Sequence, residues 1–188
     1  MIKPPQAAKI DMIAAERGYD GRLCYKELYM ANRVSAFVVL DGDGEKMRGP
    51  AGGPTTIKAR AETTNGTVTA LENIVASKQG PPLHIHVRED EIYYILDGHI
   101  RFKVDEQLLD APTGSFVFIP RGTPHCFQNI GDAPARILVI FTPAGMERFF
   151  EGQAKLPSGP PDPNAYRAVA HSAWMEIVGK PLAESDPL

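Results

Sequence analysis

From Thr55 to Thr142 the chain is broken by turn-forming residues roughly every 8 to 12 positions, and that spacing limits what it can become. The breaks are Gly66, Gly80-Pro81-Pro82, Gly98, Pro112-Thr113-Gly114, Pro120-Arg121-Gly122 and Gly131-Asp132. Between them the residues alternate apolar with polar or run continuously apolar. Strands are therefore predicted at 55–61, 67–76, 83–88, 91–97, 99–104, 107–111, 115–119, 124–130 and 135–142. Short strands at this interval build an antiparallel sandwich or small barrel, so the fold class is all-β. Glycine and proline support it: at 17 each they form about 18% of the chain, against a usual sum of about 12%.

The flanks read differently. Residues 6–33 have helical composition (AAKIDMIAAERG, then LCYKELYMANR) with a turn at Gly18-Tyr19-Asp20-Gly21, giving an N-terminal helical extension over 1–33. VSAFVVL (34–40) is rich in β-branched residues and reads as a further strand. The acidic run at 41–45 reads as a hairpin turn and not a calcium loop, because Lys46 stands where that loop requires glycine. GPAGGP (49–54) reads as a loop. The barrel is expected over 34–150. The segment 151–188 supplies a proline-rich loop and a helix over 164–175 capped by Asn164, following a short helix at MERFFE. EIVGKPL then closes the ordered chain.

The 188 residues suit one domain, and 43% hydrophobic content is enough for a core without staples. A net charge of -3 leaves no basic excess for a phosphate backbone, so nucleic acid is not an expected partner. Two cysteines, Cys24 and Cys126, make no disulfide framework and read as reduced thiols. No signal-peptide pattern appears, and the longest apolar run, Val34 to Leu40, is far short of the ~20 residues that span a bilayer. A cytoplasmic protein with no membrane partner is expected.

Five histidines occur in the chain, and two of them form H-I-H at His84 and His86. Residues i and i+2 of a strand share a face about 6.6 Å apart, from which two imidazoles can converge on one ion. Glu91 heads the next strand, with Tyr93 and Ile95 on its face, and His125 shares a face with Phe127 and Asn129 on a distant strand. Three imidazoles and one carboxylate suit a divalent transition metal such as Ni, Fe, Mn, Co, Cu or Zn. His99 and His171 read as surface or packing residues, and Cys126 alternates away from His125. Tyr93, Phe102, Phe118 and Phe127 are candidate walls of an apolar substrate pocket beside the ion.

These residues resemble the cupin superfamily. Its second motif, G(X)5PXG(X)2H(X)3N, is matched by Gly114, Pro120, Gly122, His125 and Asn129. Its first, G(X)5HXH(X)3,4E(X)6G, is matched from His84 through His86 and Glu91 to Gly98. It departs at the opening glycine, since only three residues separate Gly80 from His84. The resemblance covers about residues 55–145 and implies a double-stranded β-helix, or jelly-roll barrel, with His84, His86, Glu91 and His125 as metal ligands. Within the superfamily the chain looks most like single-domain quercetin 2,3-dioxygenase-type proteins. That likeness implies a 3-His/1-Glu metal, oxidative opening of a flavonol ring with release of carbon monoxide, and Glu91 as catalytic base. The alternatives are a metal-dependent isomerase or cyclase that uses Glu91 without O₂, and a non-catalytic small-molecule-binding cupin. Resemblance also implies a homodimer, with residues 1–33 either packing on a neighbouring subunit or covering the barrel mouth.

Overall fold

The computed structural model describes residues 34–159 and 162–187; the helical extension read at 1–33 lies outside the described residues. Eleven strands are described: β1 (Glu45–Arg48), β2 (Gly52–Ala59), β3 (Thr69–Val75), β4 (Pro82–His86), β5 (Asp90–Asp97), β6 (His99–Val104), β7 (Gln107–Pro112), β8 (Phe116–Ile119), β9 (His125–Asn129), β10 (Ala135–Thr142) and β11 (Met175–Pro181). The helices are α1 (Ala61–Thr64), α2 (Glu147–Ala154), α3 (Pro163–Ser172) and α4 (Leu182–Ser185).

All described strand pairs are antiparallel, in two sheets. One has the order β1-β2-β3-β10-β5-β8 and the other β11-β4-β9-β6-β7. Their inner faces meet in a single core. β3 and β10 alternate strictly, burying Leu71, Val75, Ile137, Val139 and Phe141 while the intervening residues stay half-exposed. Tyr93 of the first sheet meets Phe102 of the second edge to face, with ring centroids 4.9 Å apart. Burying such a side chain contributes roughly 1.5–3 kcal/mol, and the T-shaped contact about 1 kcal/mol more.

Four local expectations are corrected. Residues 34–40 form no strand despite their branched side chains, and among the described residues no strand pairs with them. The turn at 41–44 does form, with Asp43 N–H donating to the Leu40 carbonyl, but the hairpin follows it, between β1 and β2. Helix α3 begins at Pro163, with Asp162 as its cap accepting from the Asn164 N–H, because proline at the first helical position needs no hydrogen-bond acceptor of its own. EIVGKPL is a strand: β11 pairs with β4, Met175 opposite His86 and Ile177 opposite His84.

That last pairing matters for the site, because it brings the C-terminal segment beside the H-I-H strand. Helix α2 is held over the same end of the molecule by Arg48. Its guanidinium donates to the carbonyls of Gln153 (3.2 Å), Ala154 (3.3 Å) and Pro157 (3.0 Å), and to that of Leu156. Gln153 and Ala154 close the last turn of α2, and Leu156 and Pro157 follow it, so one guanidinium ties down the end of the helix and the segment after it.

Candidate metal centre

His84 and His86 point inward from β4 and are 4% and 2% exposed. His125, on β9, is the direct cross-strand partner of His84. Glu91 comes from β5 in the opposite sheet and is also buried. Each of the four offers a ligand atom, and these atoms all lie within 4.8 Å of one another. Donors about 2.0–2.2 Å from a shared ion stand roughly 3–4.3 Å apart, so the cluster matches such an ion after a small contraction.

Hydrogen bonding aims the rings. His84 Nδ1 is 2.8 Å from the Pro82 carbonyl and His125 Nδ1 is 2.9 Å from that of Thr123. A carbonyl only accepts, so both Nδ1 atoms carry the proton and each Nε2 is left to face the centre. Carbonyls that fix a tautomer in this way support metal-ligating histidines elsewhere. His86 differs. Its Nε2 is 3.0 Å from Glu91 Oε2, yet the direction is wrong for a hydrogen bond, and both ring nitrogens are buried without a partner. An orphaned imidazole nitrogen beside a carboxylate is costly in a protein interior but natural where both donate to one cation. The residues present therefore fit a divalent metal ion.

The charges agree with this reading. Burial alone would push the Glu91 carboxyl up, but His86 and His125 outweigh it and hold it well below the usual carboxylate range. Burial alone would lower His125, but its 2.7 Å bond to Glu91 Oε2, together with that carboxylate's charge, raises it above ordinary imidazole. His84 is driven well below the ordinary value by burial and by its two histidine neighbours. Without an ion the Glu91 carboxylate favours the protonated form of His125, while its surroundings favour the neutral form of His84.

His84, His86 and Glu91 line a cavity of about 40 Å³. Tyr93 and Phe127 line it, as the sequence indicates. Phe102 does not: it is fully buried behind them, touching both rings. Phe118 does not either, since β8 turns it to the outer face, where it is 52% exposed. The rest of the wall escaped sequence reading. Phe141, Met146, Phe149 and Phe150 come from the end of β10 and the start of α2, and Tyr166 and Met175 from the C-terminal segment. The signal for the first four was a dense apolar run after the last strand; for Met175 it was a strand hidden behind a glycine. Asn73 was missed too, although a polar residue at an inward position of an alternating strand was visible in TALENIV. Pro50 and Tyr166 line both this cavity and an adjoining groove, so they mark its mouth.

With this geometry the comparisons can be placed. Residues 71–141 match the family model of the cupin domain. That match covers less than half of the chain. The two antiparallel sheets are the cupin double-stranded β-helix. KdgF from Halomonas sp. has a TM-score of 0.52 at 16% identity, covering 58% of this chain and 94% of its own. The polyketide cyclase RemF from Streptomyces resistomycificus has a TM-score of 0.50 at 24% identity, covering 57% and 80%. Both likenesses concern the fold alone. An uncharacterized protein of Methanocaldococcus jannaschii is 39% identical over 61 residues, 32% of this chain and 49% of that protein. The chain spans about half the length of the curated relatives it matches. All four clustered residues lie inside the matched segment, whereas α2, α3 and β11, which wall the cavity, lie beyond it. Among the described residues no helix is long and apolar enough to cross a membrane.

Proposed function

We propose that this chain is a metal-dependent enzyme acting on a small enolic or aromatic substrate, with His84, His86, Glu91 and His125 as ligands. The observation that carries the reading is the buried meeting of these four, three of which line an apolar, aromatic-walled cavity. A divalent transition ion there would supply Lewis acidity, lowering the pKa of a hydroxyl bound to it. The protein supplies the rest. Glu91 is placed to take the substrate's hydroxyl proton, since its carboxylate is ionised and lines the cavity. Phe127, Phe141 and Phe150 keep water out and favour a flat apolar ligand.

The reaction proposed is oxygen-dependent cleavage of the quercetin 2,3-dioxygenase kind. The narrow cavity favours an enolic or dihydroxylated substrate smaller than a flavonol unless the mouth at Pro50 and Tyr166 widens. A metal-dependent isomerase or cyclase is the second reading. It draws on Glu91, whose ionised carboxylate on the cavity wall can move a proton between two substrate atoms with no oxidant. The experiment is elemental analysis of the purified protein, followed by oxygen uptake and product analysis with flavonols and smaller enols. Uptake matched to product supports the dioxygenase. Turnover under anaerobic conditions supports the isomerase or cyclase, and an absence of bound transition metal after loading rejects both.

A further inference from the structure

Among the non-ligand groups lining the cavity, Asn73 is the one amide. It sits on β3 directly opposite Thr55 of β2, and its side chain is buried. The Thr55 hydroxyl donates to Asn73 Oδ1 at 2.6 Å. With the Thr55 hydroxyl donating, Oδ1 is taken by the wall and Nδ2 is the atom left over. Nδ2 donates to no protein group among the described residues, and it is not one of the fully buried polar atoms that lack a partner, so it stays accessible on the wall that Asn73 gives the cavity. A fixed donor with two unused protons, set in an apolar wall, is free to serve whatever acceptor occupies the cavity.

Resting on the proposed metal-dependent function, we infer that Asn73 is a specificity residue that donates from Nδ2 to a second oxygen of the substrate, the first being held at the ion. The ligand class is thereby narrowed to hydroxy-ketones and their enols, compounds with an acceptor oxygen besides the one that loses its proton. Thr55 is the positioning residue, since its hydroxyl fixes the amide without reaching the ligand. A preorganised donor of this kind discriminates strongly, because an analogue lacking the second oxygen leaves it unpaired.

The test uses the full chain loaded with Co(II), whose visible bands report ligand binding without turnover. Two probes are titrated: maltol, a small hydroxy-enone with a carbonyl acceptor, and azide, which needs only the ion. Asn73→Leu removes the donor, and Asn73→Asp keeps an acceptor for Thr55 while removing the donor. Both variants are expected to weaken maltol at least about tenfold and to leave azide within about twofold. Equal losses for both probes, or none for maltol, overturn the inference. In the unsubstituted protein loaded with Zn(II), the Asn73 side-chain amide resonances should shift on adding maltol, and their failure to shift also overturns it. Absence of Co(II) bands in the unsubstituted protein instead removes the metal reading beneath it, so the two failures are told apart.

Discussion

His84 and His125 face each other across the β4–β9 ladder, with ring centroids 4.4 Å apart. Direct partners in an antiparallel pair project to the same side of the sheet, so one register match delivers two imidazoles to one point. His86 follows two residues on, and Glu91 arrives from the opposite sheet. An ion held by all four would cross-link the sheets near the open end of the sandwich.

Loading with a transition metal should therefore stabilise the fold, not only activate it. Free ion at a hundred times its dissociation constant contributes about 2.7 kcal/mol if the unfolded chain does not bind it. His125→Ala should remove most of that gain and weaken binding roughly a hundredfold or more, as loss of a ligand exceeds loss of a supporting group. In the metal-free state it should also cost about 1–3 kcal/mol, because Glu91 stays buried with a partner lost. Thermal melts with and without Co(II), with elemental analysis, check both. An unchanged metal content in the variant would remove His125 from the ligand set.

Metal uptake should release a proton. His125 is held protonated above the ordinary imidazole range by Glu91, and it must lose the Nε2 proton to bind an ion. Apparent affinity should therefore fall as pH drops through that raised value. For the metal-free fold, His125 contributes stability that is complete below about pH 6.5 and lost as pH rises through its raised folded value. The Glu91 contribution is present above the ordinary carboxylate value and lost as pH falls through its depressed one. His84 must stay neutral, so it costs stability as pH falls below the imidazole range. Calorimetric titration with Co(II) in two buffers of different ionisation enthalpy measures the protons released; a result of none at pH 6 would contradict the pairing.

Gly80 should tolerate no side chain. A Cβ there would lie 1.8 Å from the carbonyl oxygen of Phe127, on the strand that carries His125. The shift needed would separate β4 from β9 and spread His84 from His125. Gly80→Ala is expected to cost roughly 2–3 kcal/mol or more and to weaken metal binding. Gly114→Ala meets no atom, only its φ of +88°, and should cost about 1–2 kcal/mol with metal binding intact. Melts and Co(II) titrations of the pair separate the two effects; equal metal affinity in both variants would sink the argument.

How much of this was legible beforehand follows from the range of the forces involved. Nine strands and the His84, His86, Glu91, His125 set are written in local periodicity and turn residues, since alternation fixes a face and Gly98 or Gly114 fixes a turn. Phe118 was misplaced because alternation along β8 gives two faces without saying which is inner. There Val117 and Ile119 pack inward, while Phe116 and Phe118 stay out. The strand read at 34–40 has no partner among the described residues, and no local pattern supplies one. β11 was missed for the converse reason, since pairing with β4 makes a strand of a segment interrupted by Gly179. The cavity wall from α2, α3 and β11 depends on contacts across long stretches of chain, such as Phe149 against Tyr166.

Cys126 should be chemically silent in the folded protein. It sits on β9 next to His125 but alternates away from it, with no exposed surface. Burial pushes its thiol up to about 11, against the partial relief of Lys103 nearby. At pH 8 a thiol of that strength is about 0.1% thiolate, compared with roughly a quarter for an ordinary cysteine, and the thiolate is the reactive form. Iodoacetamide at pH 8 should therefore leave Cys126 unmodified in peptide mass spectra of the native protein and label it fully in urea. Metal loading should not change that outcome, because the thiol points to the side of the sheet away from the four ligands. Rapid native labelling of Cys126, or its protection only when Co(II) is present, would place the thiol on the cavity side and require the inner face of β9 to be redrawn.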